Sequence, residues 1–186
     1  MTQAARVRTD VHQHVWPAAL IAALRARPAP PLLDGWTLHL PGEPPFAVDP
    51  ADHDPPLRAQ RLRDAGFDRA LVSLSSPLGI EYLPVEEVEP LLAAYHDGAL
   101  DLPAAFGVWA AAGLAEIDQD ALAAALDAGC IGLQLPATAV ADAAGIARCG
   151  PLLDVLELRG RPLFVHPGPA PPTTATVPAW WPSLVP

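Results

Sequence analysis

The sequence predicts an α/β fold: a partial (β/α)8 TIM barrel of five strands and about four helices, with a small hairpin inserted after the first strand. Three observations carry this. From residue 53 onward, strand-like and helix-like segments alternate with short connections, the pattern of a parallel sheet wrapped by helices. The first strand-to-helix turn lacks the glycine-rich phosphate loop expected of a doubly wound dinucleotide-binding sheet. Residues able to ligate metals stand at the carboxyl ends of strands, His12 and His14 on the first and His166 on the fifth. That is the face at which (β/α)8 barrels build their sites.

Residues 4–15 read as the first strand. Residues two apart on a strand share a face, so His12 and His14 project together with Cα atoms roughly 6–7 Å apart. Residues 16–52 form a long irregular insertion punctuated by Pro28, Pro30, Pro31, Pro41, Pro44, Pro45 and Pro50. Within it, a short helix is expected over 18–25, and the runs 36–40 and 46–48 flank a Pro-Gly turn as a hairpin. A stretch this long between regular elements suits a lid or part of a pocket. Helical spacing over 56–65 stops at Gly66, and 69–74 reads as a buried strand. A helix over 85–97 ends at Gly98 before a strand at 104–109. Another over 114–128 ends at Gly129 before a strand at 131–135. A last helix over 145–158 ends at Gly160, and 162–166 closes the series. After His166 come Pro- and Thr-rich residues, then Trp180 and Trp181. Barrels of this type run to about 250 residues, so residues 1–186 read as one incomplete barrel domain, cut off after its fifth strand.

Composition narrows the function. Hydrophobic residues make up 51% and charged residues 17%, which describes a heavily buried domain. A formal net charge of −10 with no Lys/Arg cluster excludes a nucleic-acid surface or a polybasic membrane anchor. No apolar run approaches the roughly 20 residues of a membrane span, and the first residues carry no signal-peptide core. A cytoplasmic protein is expected, with Cys130 and Cys149 as small buried residues.

Three histidines converging from two strand ends are the minimum for a site holding one divalent metal. Asp10 lies on the same strand face and is placed to orient a ligand imidazole. Taken singly, each histidine also reads as a polar or capping residue. His39, on the hairpin, is a candidate pocket residue or a solvated one. His53 and His96 read as structural, His96 as a cation near a helix end. Trp16, Trp36, Trp180 and Trp181 are candidates to line a small-molecule pocket or cover open core. Glu81, Glu86, Glu87 and Glu89 read as an acidic run entering a helix, without catalytic work.

Residues 10–17 (Asp-Val-His-Gln-His-Val-Trp-Pro), 65–73, 132–135 and 163–168 (Leu-Phe-Val-His-Pro-Gly) together resemble the amidohydrolase superfamily. The branch most like it is the amidohydrolase-related group that includes aminocarboxymuconate-semialdehyde decarboxylase. The resemblance runs in order through nearly the whole chain. It implies that His12, His14 and His166 are zinc ligands, and that a further His and an Asp belong to later strands, beyond the C-terminus here. Binuclear members carry a carboxylated lysine on the fourth strand. Gln134 stands nearest that position and has no amine to carboxylate, so a mononuclear site is implied and Gln134 reads as a polar barrel or pocket residue. The implied chemistry is hydrolysis or non-oxidative decarboxylation of a small carboxylate, amide or lactone.

Two other readings remain open on sequence. One is a non-catalytic remnant binding a small molecule or a partner, with a homodimer covering the exposed edges of the first and fifth strands. The other is a polymerase-and-histidinol-phosphatase-type phosphoesterase, which also opens on Asp-x-His-x-His but calls for more His and Asp clusters than this chain shows.

Overall fold

A computed structural model describes residues 7–167. The elements run β1 (Thr9–Gln13), α1 (Ala18–Arg25), β2 (Leu32–Asp34), β3 (Thr37–His39), β4 (Phe46–Ala47), α2 (Pro55–Asp64), β5 (Arg69–Val72), α3 (Val85–Leu100), β6 (Phe106–Val108), α4 (Gln119–Ala128), β7 (Leu133–Pro136), α5 (Ala143–Arg159) and β8 (Leu163–His166). Trp180 and Trp181 lie outside the described residues, as do residues 4–6 of the expected first strand.

The helix boundaries follow local chemistry. Asp54 caps α2 by accepting the Leu57 N–H at 2.8 Å, and the chain turns out of the helix at Gly66, whose φ of +80° suits glycine. The helix expected over 114–128 begins only at Gln119, because the Asp118 carboxylate accepts the Ala121 N–H at 2.9 Å and starts it there. Gly98 does not end α3, which continues to Leu100. A Cβ on Gly98 would stand 2.7 Å from Pro17 Cβ, so this glycine lets α3 pass close over the start of α1. The insertion holds the expected hairpin as β3 and β4, and a further strand, β2, pairs antiparallel with β3. Leu32–Asp34 is too short to show a period in sequence.

β1, β5 and β6 form a parallel sheet in that order, and β7 pairs parallel with β8. A parallel bridge between Ala110 and Leu133 joins the two sets. The five parallel strands therefore neighbour one another in chain order. Their carboxyl ends lie on one side, which is how His12 and His166 can meet. The core lies between strands and helices, with Leu20 and Leu24 of α1, Leu91 and Tyr95 of α3, Leu126 of α4 and Leu152 of α5 all buried against Val72, Leu133 and Leu135. Each such aliphatic side chain contributes about 1.5–3 kcal/mol on burial. Among the described residues the other face of β8 carries little cover: Leu163 is 37% and Val165 46% exposed. Among the described residues no helix is long and apolar enough to cross a membrane.

Candidate metal centre

Strand alternation sends His12 and His14 to one side of β1, and β8 delivers His166 from the far end of the sheet. Their Nε2 atoms form a triangle: His12 to His14 3.0 Å, His12 to His166 2.8 Å, His166 to His14 3.1 Å. Three ligands to one ion with bonds of about 2.0–2.1 Å adopt separations close to these.

The protons decide what the triangle can do. His14 Nδ1 lies 3.0 Å from the Ser73 carbonyl oxygen, which can only accept, so this nitrogen carries the proton. His166 Nδ1 makes the same bond to the Pro167 carbonyl. Two of the three Nε2 atoms therefore present bare lone pairs to one another. One proton on His12 Nε2 can serve one of them and leaves the other facing a lone pair. Burial, the main cause, pushes His14 down to about 4, and the His12 and His166 imidazoles below their ordinary value. Near neutral pH the centre is thus uncharged and rich in lone pairs, the state a divalent cation requires of its ligands.

Aromatic residues wall it on one side. Phe164 lies 5.2 Å from His12 between ring centroids and stacks on Trp109 at 5.3 Å, while Trp109 Nε1 donates to the Val11 carbonyl at 3.0 Å. Trp109 and Phe164 carry no sequence signal beyond ordinary strand apolarity. The Ser73 and Pro167 carbonyls are backbone groups, which sequence cannot single out.

The other expected residues fall elsewhere. Asp10 accepts the His12 backbone N–H at 3.1 Å and the Gln13 side chain at 2.5 Å, so its described bonds hold the strand end and not an imidazole. Trp16 is buried, donates Nε1 to Ser75 Oγ at 2.9 Å and stacks on His53 at 4.2 Å. Trp36 stacks on His53 at 6.0 Å, with the Arg25 guanidinium 5.1 Å from its ring. These rings pin the insertion onto the loop after β1. His53 accepts the Trp16 backbone N–H and is held near 4, chiefly by burial. His39 sits half-buried on β3 opposite Leu32, and none of its described contacts reaches the three histidines. Gln134 is sealed in the core, donating to the Leu74 carbonyl at 2.8 Å. Glu81 is not part of an exposed acidic run: it lies 1% exposed in a 3-10 turn ahead of α3, and burial pushes its carboxyl up to about 7. His96 is likewise no exposed cation, being held neutral near 4 by burial.

No protein-family model matches the chain, and no curated protein matches it in sequence. Solved structures do. One is an amidohydrolase II, at 22% identity and a TM-score of 0.61 over 96% of this chain and 56% of that one. Two are 5-carboxyvanillate decarboxylase from Novosphingobium aromaticivorans. A variant holding manganese and a nitrobenzoic acid matches at 16% identity, TM-score 0.64, over 97% of this chain and 56% of that one. A second structure with manganese and the same class of ligand matches at 17%, TM-score 0.61, over 97% and 55%. The chain spans just over half the length of these structures, and across that span it has the fold of an amidohydrolase and of a 5-carboxyvanillate decarboxylase.

Proposed function

We propose that this chain belongs to the amidohydrolase superfamily and forms the metal-binding part of a (β/α)8 barrel hydrolase or decarboxylase, with His12, His14 and His166 as ligands to one divalent ion. The observation that carries this is the lone-pair triangle, in which two backbone carbonyls fix the imidazole protons on the outer nitrogens. The motif resemblance favours zinc, and the manganese in both decarboxylase structures makes manganese the second candidate. An ion held there supplies a Lewis acid that polarises a carbonyl or carboxylate oxygen and lowers the pKa of water.

The chain's own residues prepare the site for this. Burial keeps the imidazoles neutral, Ser73 and Pro167 aim them, and Phe164 with Trp109 excludes water from one side. Residues 1–186 are read as one incomplete barrel domain with 16–52 as its insertion. Trp16 and Trp36 fix that region against His53, and the substrate class proposed for the site is a small carboxylate, amide or lactone. Cys130 and Cys149 are both free and buried, which suits the cytoplasm.

Metal content per chain, measured by elemental analysis after size-exclusion chromatography and reloading with zinc or manganese, tests this. About one ion per chain, lost in His12→Ala, is expected. A well-folded chain that takes up neither ion overturns the reading and promotes a non-catalytic binding or dimerising role.

A further inference from the structure

Gln134 and Glu81 make up a buried polar group that ligand chemistry does not use. Gln134 Nε2 donates to the Leu74 carbonyl at 2.8 Å and to Ser76 Oγ at 3.1 Å, and lies 3.4 Å from Glu81 Oε1. Ser76 Oγ donates in turn to Glu81 Oε1 at 3.2 Å. The Glu81 backbone is fixed as well, its carbonyl accepting the Leu114 N–H at 2.7 Å. Both side chains are 1% exposed.

Two atoms of this group, Glu81 Oε2 and Gln134 Oε1, are buried without a hydrogen-bond partner among the described residues. Gln134 Nε2 and Glu81 Oε1, the other polar atoms of the two side chains, lie on the side where Ser76 bridges them. Leaving each of the two buried acceptors, Glu81 Oε2 and Gln134 Oε1, unpaired costs about 1–3 kcal/mol. A proton on Glu81 Oε2 removes the buried charge and turns that oxygen from a bare acceptor into a donor. Tyr95 of α3 also faces Glu81, but its hydroxyl is committed to the Val72 and Trp109 carbonyls at 3.1 and 3.0 Å.

Through Leu74 and Ser76 this pair grips the segment that leaves β5, and Ser73 of the same segment supplies the carbonyl that holds the His14 Nδ1 proton. We propose that Gln134 and Glu81, linked through the Ser76 hydroxyl, are positioning residues that hold residues 73–76 so that Ser73 keeps His14 in its Nε2-lone-pair tautomer. The consequence for metal binding rests on the reading above; the placement of the His14 proton does not.

The test is 15N NMR of the His14 imidazole in the metal-free full chain, with zinc affinity measured beside it. Wild type and Glu81→Gln, which keeps one donor and one acceptor towards Gln134, should both show His14 protonated on Nδ1. Gln134→Met should mix the two tautomers and weaken zinc about tenfold, the scale of losing a ligand's outer hydrogen bond. Ser76→Ala should shift the tautomers in the same direction, and decides the matter if Gln134→Met does not fold. A folded Gln134→Met or, failing that, Ser76→Ala with the His14 tautomer unchanged overturns the clamp. Absence of zinc binding in wild type sinks the metal reading and leaves the tautomer result to judge the clamp alone.

Discussion

His96 Nε2 accepts the backbone N–H of Ala111 at 3.0 Å, binding α3 to the segment after β6. An acceptor nitrogen carries no proton, so the ring must be neutral or lose this bond. Its pKa lies near 4 in the folded chain, against an ordinary 6.5, with burial as the leading cause. A histidine lowered in this way binds its proton more tightly when unfolded. The stability it contributes is whole above about 6.5 and drains away as pH falls towards 4, by up to about 3 kcal/mol. Urea midpoints at pH 7.5 and 5 should show His96→Gln, whose amide oxygen can accept from Ala111 without titrating, losing less than wild type. An equal loss in both chains would remove His96 from the account.

Glu81 has the opposite sign. Its folded pKa of about 7 stands above the ordinary 4.5, because burial disfavours the charged form. The folded chain holds this proton more tightly, so stability falls as pH rises from about 4.5 through 7, by about 3 kcal/mol in all. Thermal melts of Glu81→Gln should gain on wild type at pH 8 and match it near pH 5. A melting difference that does not change with pH would contradict a buried, titrating carboxyl.

Gly98→Ala separates helix propensity from packing. In an exposed helix interior the change would stabilise by about 1 kcal/mol. Here the new methyl would sit 2.7 Å from Pro17 Cβ and 3.3 Å from Ala19 Cβ. Overpacking of this kind costs about 1–3 kcal/mol, so a net loss is expected in chemical denaturation. A more stable variant would mean that α1 and α3 pack less closely than described.

Leu163 and Val165 offer a test of self-association. Both point away from the histidine side of β8 and, among the described residues, are exposed at a sheet edge. If a second copy covers this face, Leu163→Thr with Val165→Thr should shift the chain towards monomer in sedimentation, leaving zinc stoichiometry unchanged. Identical sedimentation of variant and wild type would end the homodimer reading.

The strand and helix alternation from residue 53 onward was legible because each element repeats its own period and most end on a glycine or begin on a carboxylate. The two exceptions have different causes, one tertiary and one local. Gly98 looks like a stop signal until Pro17 is seen against it, whereas Asp118 starts α4 through a cap bond to Ala121 that the apolar residues from Leu114 onward obscure. The three histidines were legible for a different reason, since residue type and strand parity suffice to place them. What orients them was not: Ser73 and Pro167 act through carbonyls that every residue possesses. Glu81 misled because charge in sequence suggests solvent, and only the fold reveals its burial.

His12 and His166 stand 2.8 Å apart in space and 154 positions apart in the chain. Contacts of such span form late, because the entropy of closing so long a loop must be met before they return anything. The triangle therefore reports that β8 has docked on the strands before it. Whatever binds it binds the docked state and stabilises that state by mass action, tying β1 to β8.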